Sequence, residues 1–407
     1  MGSNLWFYAR GYNHPTTYVW RSDGTPGGTF QVGTTAWGSD PFRASSGPFF
    51  PGGDGVVFFS RAVQTSTGAA GSIRRLSPQT ATSSRDLATD HLGRVYYGVW
   101  AGSALAVHCL DPRTGVDATV YTFAGAFEGL SFAEAGGAMF FCGFGTGGPD
   151  VIRTDGTTGG TARVLNLRSN NGGTGPVYVN TCGAGVVCFQ FDRVVHDRAM
   201  WFIDGATGTP TLVRHFPAAS NPASFGAGLI FLANDGEHGA EPWFTDGTLA
   251  GTRMIAETAI GTYGATTIAP GIMGGRGLGL EVVGDLAFFN VATPDLAPHP
   301  WVTDGTAEGT RPLGATPDGS RIYAGRGFAR TPGAVVFTAW TEATSSDLFA
   351  VRLCAPDFNA DAFVDFFDYL AFTEAFEAGT PDADFNGDGF VDFFDYGSFV
   401  EAFERGC

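Results

Sequence analysis

The sequence predicts a mainly β protein that ends in a small α-helical domain, and three observations lead to this prediction. A turn motif built around Asp-Gly-Thr recurs along the first 353 residues. A short apolar run, rich in aromatic residues, precedes each copy of the motif. The last 54 residues contain two near-identical acidic segments, each followed by aromatic residues at helical spacing. We therefore predict two domains, residues 1–353 and 354–407.

The composition is typical of a turn-rich protein with room for more than one domain. The chain has 407 residues, of which 43% are hydrophobic and 14% aromatic, with 61 glycines and 22 prolines. Glycine and proline at this frequency favour turns over long helices. The sequence contains no run of about 18 apolar residues, so no membrane-spanning segment is predicted. The N-terminal MGSNLWFYARG lacks the basic and apolar regions of a signal peptide, and we expect a leader that was removed or trimmed.

The net charge of −17 is unevenly distributed along the chain. Between Cys354 and Cys407 there are 13 acidic residues and a single basic one, Arg405, so this segment carries −12 and the rest of the chain −5. A nearly neutral body with an acidic tail argues against nucleic acid and anionic membranes as partners. The distribution favours a tail that holds cations.

The turn motif has four clear copies and two weaker ones. The clear copies are WRSDGTPGGT from Trp20, IRTDGTTGGT from Ile152, WFTDGTLAGT from Trp243 and WVTDGTAEGT from Trp301, and the weaker ones are WFIDGATGT from Trp201 and LDPRTG from Leu110. Their Asp residues are 88, 44, 49, 42 and 58 residues apart, so we expect an eroded unit in the first gap, near SIRRLSP from Ser72. A repeated Asp can accept hydrogen bonds from the backbone amides of its own turn, and the following Gly supplies positive φ. The motif therefore indicates a structural turn rather than a catalytic carboxylate.

Eight apolar runs predict the buried strands of these units, because they are brief, β-branched or aromatic, and bounded by glycine. They are LWFYA from Leu5, GVVFFS from Gly55, RVYYGV from Arg94, AMFFCG from Ala138, VVCFQF from Val186, LIFLAN from Leu229, LAFFNV from Leu286 and AVVFTA from Ala334. Together with the tryptophan strand and the turn, each run would form one antiparallel sheet about every 45 residues. Such sheets bury both faces only by stacking on their neighbours. The predicted fold of the body is a seven- or eight-bladed β-propeller.

The motif-bearing segments resemble the ELWxxDGT repeat family. TDGTLAGT and TDGTAEGT follow its pattern closely, with EPW and HPW in place of ELW. The resemblance extends from Leu5 to Leu353 and implies an extracellular, propeller-like protein. It implies nothing specific about activity.

The two acidic segments of the tail predict two calcium-binding loops. DFNADAFVDFFDY begins at Asp357 and DFNGDGFVDFFDY at Asp384, and over 23 residues the two copies share 17 identities. Side-chain oxygens fall at positions 1, 3, 5, 9 and 12 of a twelve-residue loop, with a backbone carbonyl at position 7, the spacing that wraps oxygen ligands around one calcium ion. The predicted ligands are Asp357, Asn359, Asp361, the Phe363 carbonyl, Asp365 and Asp368 in the first loop, and Asp384, Asn386, Asp388, the Phe390 carbonyl, Asp392 and Asp395 in the second.

The loops differ at position 6, where the chain must turn sharply. The second loop has Gly389 there and the first has Ala362, so we expect strain or weaker calcium binding in the first loop. After each loop the aromatic residues continue with helical period, which predicts two short helices that pack together: Phe366, Tyr369, Phe372 and Phe376, then Phe393, Tyr396, Phe399 and Phe403. Without metal, the crowded carboxylates should drive this segment apart.

The six cysteines are compatible with disulfides in an oxidising compartment. Cys354 and Cys407 bracket the tail, and a small domain needs such a cross-link. Cys182 and Cys188 flank CGAGVVC, a predicted hairpin that would place the two thiols opposite each other. These are the two candidate pairings, and Cys354 with Cys407 is the favoured one.

The tail resembles a type I dockerin and, more narrowly, a GC-type dockerin, which ends in Gly-Cys as residues 406 and 407 do here. The resemblance implies a calcium-dependent docking module of extracellular or cell-surface proteins, with two bound ions. Dockerins often use polar residues at loop positions 10 and 11 to recognise a cohesin. Here these positions are Phe366, Phe367, Phe393 and Phe394, so the expected partner is a cohesin-like or other surface receptor, and the repeated pair allows two equivalent docking orientations.

Three functions are compatible with the sequence. The leading hypothesis is a non-catalytic extracellular protein whose propeller binds a glycan, a peptide or a surface polymer. The alternative is a carbohydrate-active enzyme, a glycoside hydrolase or lyase, with five candidate acidic residues outside the repeat pattern: Glu128, Glu134, Glu281, Asp285 and Glu342. A third hypothesis is a spacer or self-associating coat component. The sequence contains no P-loop, GxSxG, HExxH or zinc-spaced cysteines.

Overall fold

A computed structural model describes most of the chain as two compact units. The first unit comprises Met1–Phe216 with Asp246–Gly251, and the second comprises Pro217–Thr245 with Thr252–Cys407. The described residues are 5–10, 16–36, 49–52, 55–59, 63–77, 87–125, 130–167, 178–192, 197–219, 222–258, 264–265, 280–292, 298–313, 320–331, 334–342, 347–352, 356–358, 364–386 and 389–405. The predicted domain boundary at residues 353 and 354 falls outside them.

The strands of the first unit form five antiparallel sheets, numbered in chain order. Sheet 1 contains β1 (Leu5–Arg10), β2 (Thr16–Ser22) and β3 (Phe30–Ala36). Sheet 2 contains β4 (Phe50–Gly52), β5 (Gly55–Phe59), β6 (Val63–Ser66) and β7 (Arg74–Arg75). Sheet 3 contains β8 (Leu87–Thr89), β9 (Val95–Ala101), β10 (Ala104–Leu110) and β11 (Asp117–Phe123). Sheet 4 contains β12 (Ser131–Ala135), β13 (Ala138–Gly145), β14 (Gly148–Thr154) and β15 (Ala162–Asn166), and sheet 5 contains β16 (Val179–Cys182), β17 (Gly185–Asp192), β18 (Asp197–Asp204) and β19 (Pro210–Phe216).

The second unit contributes three more antiparallel sheets and two helices. Sheet 6 contains β20 (Ala218–Ala219), β21 (Ala223–Phe225), β22 (Gly228–Asn234), β23 (Glu241–Thr245) and β24 (Arg253–Met254). Sheet 7 contains β25 (Gly264–Ala265), β26 (Glu281–Val283), β27 (Leu286–Ala292), β28 (Pro298–Thr303) and β29 (Arg311–Pro312). Sheet 8 contains β30 (Tyr323–Thr331), β31 (Ala334–Trp340) and β32 (Asp347–Arg352). The helices are α1 (Phe366–Ala378) and α2 (Phe393–Arg405), with a short 3₁₀ turn at Pro381–Ala383.

Each of the eight predicted apolar runs is a strand, and each lies in a different sheet. The strands are β1, β5, β9, β13, β17, β22, β27 and β31. In β22 the six residues before Asn234 are all buried, which is the pattern of a strand covered on both faces. The mainly β prediction and the helical end of the chain are both confirmed.

Sheets 4 and 5 show how the apolar strands are buried. One core cluster takes Phe140 and Cys142 from β13 together with Val186 and Cys188 from β17. Beside it, the Ser131 hydroxyl accepts a hydrogen bond from the backbone N–H of Val179 at 3.1 Å. Apolar burial between the two sheets is therefore supplemented by hydrogen bonds, among them those from the Thr181 hydroxyl to the Glu134 carbonyl at 2.9 Å and from Arg153 to the Gly205 carbonyl at 3.1 Å.

The Asp-Gly-Thr motif is a structural turn, as predicted. In the second copy the Asp155 carboxylate accepts hydrogen bonds from the Thr157 backbone N–H at 2.9 Å and from the Thr157 hydroxyl at 2.7 Å. The hydroxyls of Thr154 and Thr161 share a hydrogen bond at 2.6 Å that closes the turn. Gly156 has φ +90°, which explains the glycine after the Asp. The same Asp–Thr bonds recur at Asp23, Asp246 and Asp304.

The structure also identifies the eroded unit expected in the first gap. In TSTGAAGS, which joins β6 to β7, the hydroxyls of Ser66 and Ser72 share a hydrogen bond at 2.7 Å, as the two threonines do in the intact motif. Gly68 has φ +90°, but Thr67 stands where the motif has Asp. This unit keeps the turn and has lost the carboxylate that made it recognisable.

The two helices have 13 residues each. Neither has the length and apolar stretch that crossing a bilayer requires, and no other part of the described chain forms such a helix.

Candidate metal centre

Both helices of the tail begin with the same arrangement of two aspartates. Before α1, the Asp365 side chain accepts from the Phe367 backbone N–H at 2.8 Å, and the Asp368 side chain accepts from the Asp365 backbone N–H at 2.9 Å. This reciprocal capping satisfies two amides that the first helical turn leaves without partners. The sequence D-F-F-D therefore starts a helix in its own right.

The second copy repeats these contacts. The Asp392 side chain accepts from the Phe394 backbone N–H at 2.8 Å, and the Asp395 side chain accepts from the Asp392 backbone N–H at 2.8 Å. The aspartates at loop positions 9 and 12 thus have equivalent local structure in both copies.

The helices pack through the aromatic stripe predicted from their spacing. Phe372 of α1 and Phe399 of α2 are fully buried and stack with ring centroids 3.9 Å apart at an interplanar angle of 4°. Phe358 and Phe385, which follow the first ligand of each loop, pack against this pair. The repeated aromatic residues therefore form one small core that joins the two copies.

Several predicted ligands are buried carboxylates. Asp357 is 1% exposed, and Asp368 and Asp395 are 0% exposed. One oxygen of Asp395 accepts from the Asn386 backbone N–H at 3.0 Å. Burial raises the pKa of Asp395, but hydrogen bonds from backbone amides, that of Asn386 foremost, outweigh it and lower the pKa overall. Asp395 is thus held ionised in a buried position.

The second loop turns where the sequence predicts. Gly389 has φ +89°, and its backbone N–H donates to the Asp384 carboxylate at 2.8 Å. This bond folds the loop back on Asp384, its first predicted ligand, and it needs a backbone conformation that glycine adopts without strain. Ala362, its counterpart in the first loop, lies outside the described residues.

The described ligands fit a hard divalent cation. Backbone hydrogen bonds offset part of the cost of burying these carboxylates, and a bound cation would offset more of it, since Arg405 is the sole basic residue of the tail. The donors are all oxygens, which suits calcium. Asn359, Asp361, Phe363 and Asp388 lie outside the described residues, and within the described part of the chain no three His, Cys, Asp or Glu side chains form a complete metal-binding group.

The predicted docking residues lie on the surface. Phe366 and Phe367 are 68% and 63% exposed, and Phe393 and Phe394 are 76% and 72% exposed. Each pair occupies the first turn of its helix, between the capping aspartate and the buried one. Each pair therefore exposes two adjacent phenylalanine side chains to solvent, an apolar feature of the kind that proteins use for binding.

The acidic residues considered for catalysis mostly hold the body together. Glu281 accepts hydrogen bonds from the backbone N–H groups of Gly327 and Phe328, one on each carboxylate oxygen. Glu134 accepts from the backbone N–H of His91 at 3.0 Å and contacts its ring, and Glu342 accepts from the Tyr323 hydroxyl at 3.1 Å. Glu128 lies outside the described residues. The described contacts place none of these residues together as an acid–base pair.

A polar cluster between sheet 3 and the segment that follows β7 has no counterpart among the sequence predictions. The Asp117 carboxylate contacts the hydroxyl of Tyr97, the hydroxyl of Ser77 at 3.1 Å and Nδ1 of His108 at 3.1 Å. Burial raises the pKa of Asp117, but these hydrogen bonds, His108 first, lower it overall. Tyr97, His108 and Asp117 come from three different strands and Ser77 from the segment after β7, so no local motif predicts the cluster.

The predicted Cys182–Cys188 pairing is wrong in this structure. The hairpin β16–β17 is present, but its register places Cys182 opposite Gly185 and Cys188 opposite Val179. The tight turn at residues 183–184 sets this register, so the two cysteines do not face each other across the hairpin. Neither forms a disulfide, and both are buried. Cys354 and Cys407 lie outside the described residues.

Comparison with known proteins gives only distant structural similarity. No protein-family model matches the chain, and no curated protein matches it. A puromycin hydrolase S511A mutant complexed with PGG has a TM-score of 0.44 at 10% identity, covering 75% of this chain and 52% of its own. A prolyl endopeptidase structure has a TM-score of 0.43 at 11% identity, covering 86% and 50%, and an oligogalacturonate lyase in complex with manganese has 0.42 at 11%, covering 73% and 85%. This chain thus spans about half the length of the two peptidases, and similarity at this level supports no conclusion about its activity.

Proposed function

We propose that residues 354–407 form a calcium-dependent docking module of the dockerin type, which attaches the body of the protein to a receptor outside the cell. The observation that supports this most directly is the repeated helix start. In each copy a buried aspartate and an exposed phenylalanine pair share one helical turn, Asp368 with Phe366 and Phe367, and Asp395 with Phe393 and Phe394. Ion binding and partner binding would therefore depend on the same few residues.

Calcium would supply the positive charge that the tail lacks. Asp384, Asp395 and the other predicted ligands of the second loop would hold one ion, and the equivalent residues of the first loop a second. Bound ions would neutralise the carboxylates that otherwise repel one another, and so stabilise the helix starts that carry the phenylalanines.

The surface of the module indicates the chemistry of its partner. The exposed phenylalanines would each contribute about 1.5–3 kcal/mol if a partner buried them fully. They stand in a segment with 13 acidic residues and one basic residue. A receptor with an apolar groove and a basic rim, whether cohesin-like or of another type, would match both features.

For the body we propose a β-propeller that binds a glycan or peptide. The eight successive sheets formed by the described residues support an arrangement of eight repeated units. Three of the candidate acidic residues, Glu134, Glu281 and Glu342, are engaged in hydrogen bonds within the fold, which favours a binding role over the carbohydrate-active enzyme.

A capture experiment tests the docking function. The full chain, immobilised through its N-terminus, is incubated with cell-surface extract in calcium or in a chelator. We expect calcium-dependent capture of a specific receptor, loss of capture when all four docking phenylalanines are changed to Ser, and normal capture by Leu348→Ser, which alters a body residue that is 73% exposed. Capture that persists in chelator, or that the Phe variants retain, would contradict the proposal.

A further inference from the structure

Two tyrosines occupy equivalent positions in the two halves of the tail. Tyr369 directly follows Asp368, the last predicted ligand of the first loop, and Tyr396 directly follows Asp395, the last ligand of the second. Each tyrosine therefore belongs to the first turn of its helix, together with the aspartates at loop positions 9 and 12. A contact that restricts the position of the tyrosine therefore also restricts this first helical turn.

The two tyrosine hydroxyls meet between the helices. Their oxygens lie 2.5 Å apart and share a hydrogen bond, in partly buried surroundings. The rings are arranged edge to face with centroids 6.4 Å apart. This is a direct side-chain link between the residues that follow the two final ligands.

The ring contacts are reciprocal. Tyr369 of α1 lies against Phe399 and Phe403 of α2, with centroids 6.3 and 6.1 Å away. Tyr396 of α2 lies against Phe372 and Phe376 of α1, with centroids 6.4 and 5.9 Å away. Each tyrosine is thus held by the opposite helix, and the orientation of one helix start depends on that of the other.

We propose that Tyr369 and Tyr396 are positioning residues that couple the two calcium loops, so that an ion in the loop from Asp384 strengthens calcium binding in the loop from Asp357. This inference rests on the proposed calcium binding. The second loop fills first, because Gly389 makes its turn without strain, whereas the first loop has Ala362. The first ion fixes the start of α2, and the hydrogen bond between the two tyrosines then fixes the start of α1. The second ion consequently binds a loop that is already partly ordered, so a smaller loss of conformational entropy opposes its binding.

The expected coupling is about fivefold in affinity, the lower end of the range for coupled sites, because the direct link is one neutral hydrogen bond. It is measured on the full chain by calcium titration against a chromophoric chelator. Asp388→Ala disables the second loop, so the affinity of the first loop alone is obtained from this variant. The coupling is the ratio of two calcium affinities: that of the second binding step in the unaltered chain, divided by that of the first loop in the Asp388→Ala variant.

We expect this affinity ratio to be about five for the unaltered chain. When Tyr369→Phe or Tyr396→Phe is introduced both into that chain and into the Asp388→Ala variant, we expect a ratio of about one. Phenylalanine keeps the ring packing, and two independent variants guard against an effect of misfolding in either. Tyr178→Phe, a hydroxyl deletion in the body, should leave the ratio at about five. A ratio of about one in the unaltered chain would overturn the coupling, and a ratio of about five that persists without the hydroxyls would overturn the role of the two tyrosines; either result leaves calcium binding intact. Absence of any calcium binding in the unaltered chain would overturn the calcium proposal itself, and the coupling with it.

Discussion

Gly160 lies directly beneath the carboxylate of Asp155: a β-carbon added at Gly160 would stand 2.1 Å from that carboxylate. The same relationship holds between Gly28 and Asp23, and between Gly309 and Asp304. The final glycine of the motif is therefore required because the aspartate folds back over it to accept hydrogen bonds from the threonine. The Asp, the Thr and the final Gly of the motif form one interdependent structure.

This relationship predicts a large difference between two adjacent glycines. Gly160→Ala should destabilise the first unit by about 1–3 kcal/mol, because the new methyl group displaces the carboxylate and breaks its hydrogen bonds. Gly159→Ala should change stability by no more than about 0.5 kcal/mol, since a β-carbon at Gly159 meets nothing within 4 Å. Urea unfolding of both variants measures the difference. Equal stabilities would show that Asp155 does not hold the turn as described.

The same turn predicts an effect of pH. Hydrogen bonds from the hydroxyl and the backbone N–H of Thr157 lower the pKa of Asp155 below its ordinary value of 3.8. A carboxyl whose pKa is lower in the folded state stabilises the fold above its ordinary pKa, and this contribution disappears as the pH falls through the folded value. Thr157→Val removes the hydroxyl bond, so its stability should depend less on pH between neutral and strongly acidic solution. Thermal unfolding of both proteins across that range tests this, and identical pH profiles would contradict it.

Buried thiols give a third prediction. Burial raises the pKa of Cys188 to about 12 and that of Cys182 to about 11. Both should therefore remain protonated and unreactive towards an alkylating reagent at pH 8 in the folded protein, and should react readily in denaturant. Peptide mass spectrometry after alkylation, with and without denaturant, measures how far each cysteine has reacted in the folded and the unfolded protein. Rapid labelling of Cys188 in the native protein would show that sheet 5 is not packed as described.

Local patterns predicted the elements of this protein well. Each apolar run became one strand of one sheet, because a short buried strand is specified by its own β-branched and aromatic residues. The motif turns and both helix starts were also predictable, since their hydrogen bonds connect residues close in sequence, as between Asp155 and Thr157.

Contacts between residues far apart in the sequence were harder to predict. The cluster around Asp117 joins Tyr97 and His108 of sheet 3 to Ser77, which lies 40 residues before Asp117, and no local pattern predicts it. The Cys182–Cys188 prediction failed because hairpin register, which the turn sets, was not considered. The contact between Tyr369 and Tyr396 depends on how two helices pack, so the aromatic spacing predicted a core but not the hydroxyl pair at its edge.

The number of calcium ions bound per chain tests the central claim most directly. Native mass spectrometry of the full chain in calcium should show two ions, and none after treatment with a chelator. Asp395→Asn, which removes a buried charge from the second loop, should bind at most one ion, whereas Asp382→Asn, which alters an exposed aspartate of the 3₁₀ turn outside both loops, should keep two. A chain that carries no calcium at millimolar concentrations, or that loses none when Asp395 is changed, would contradict the account.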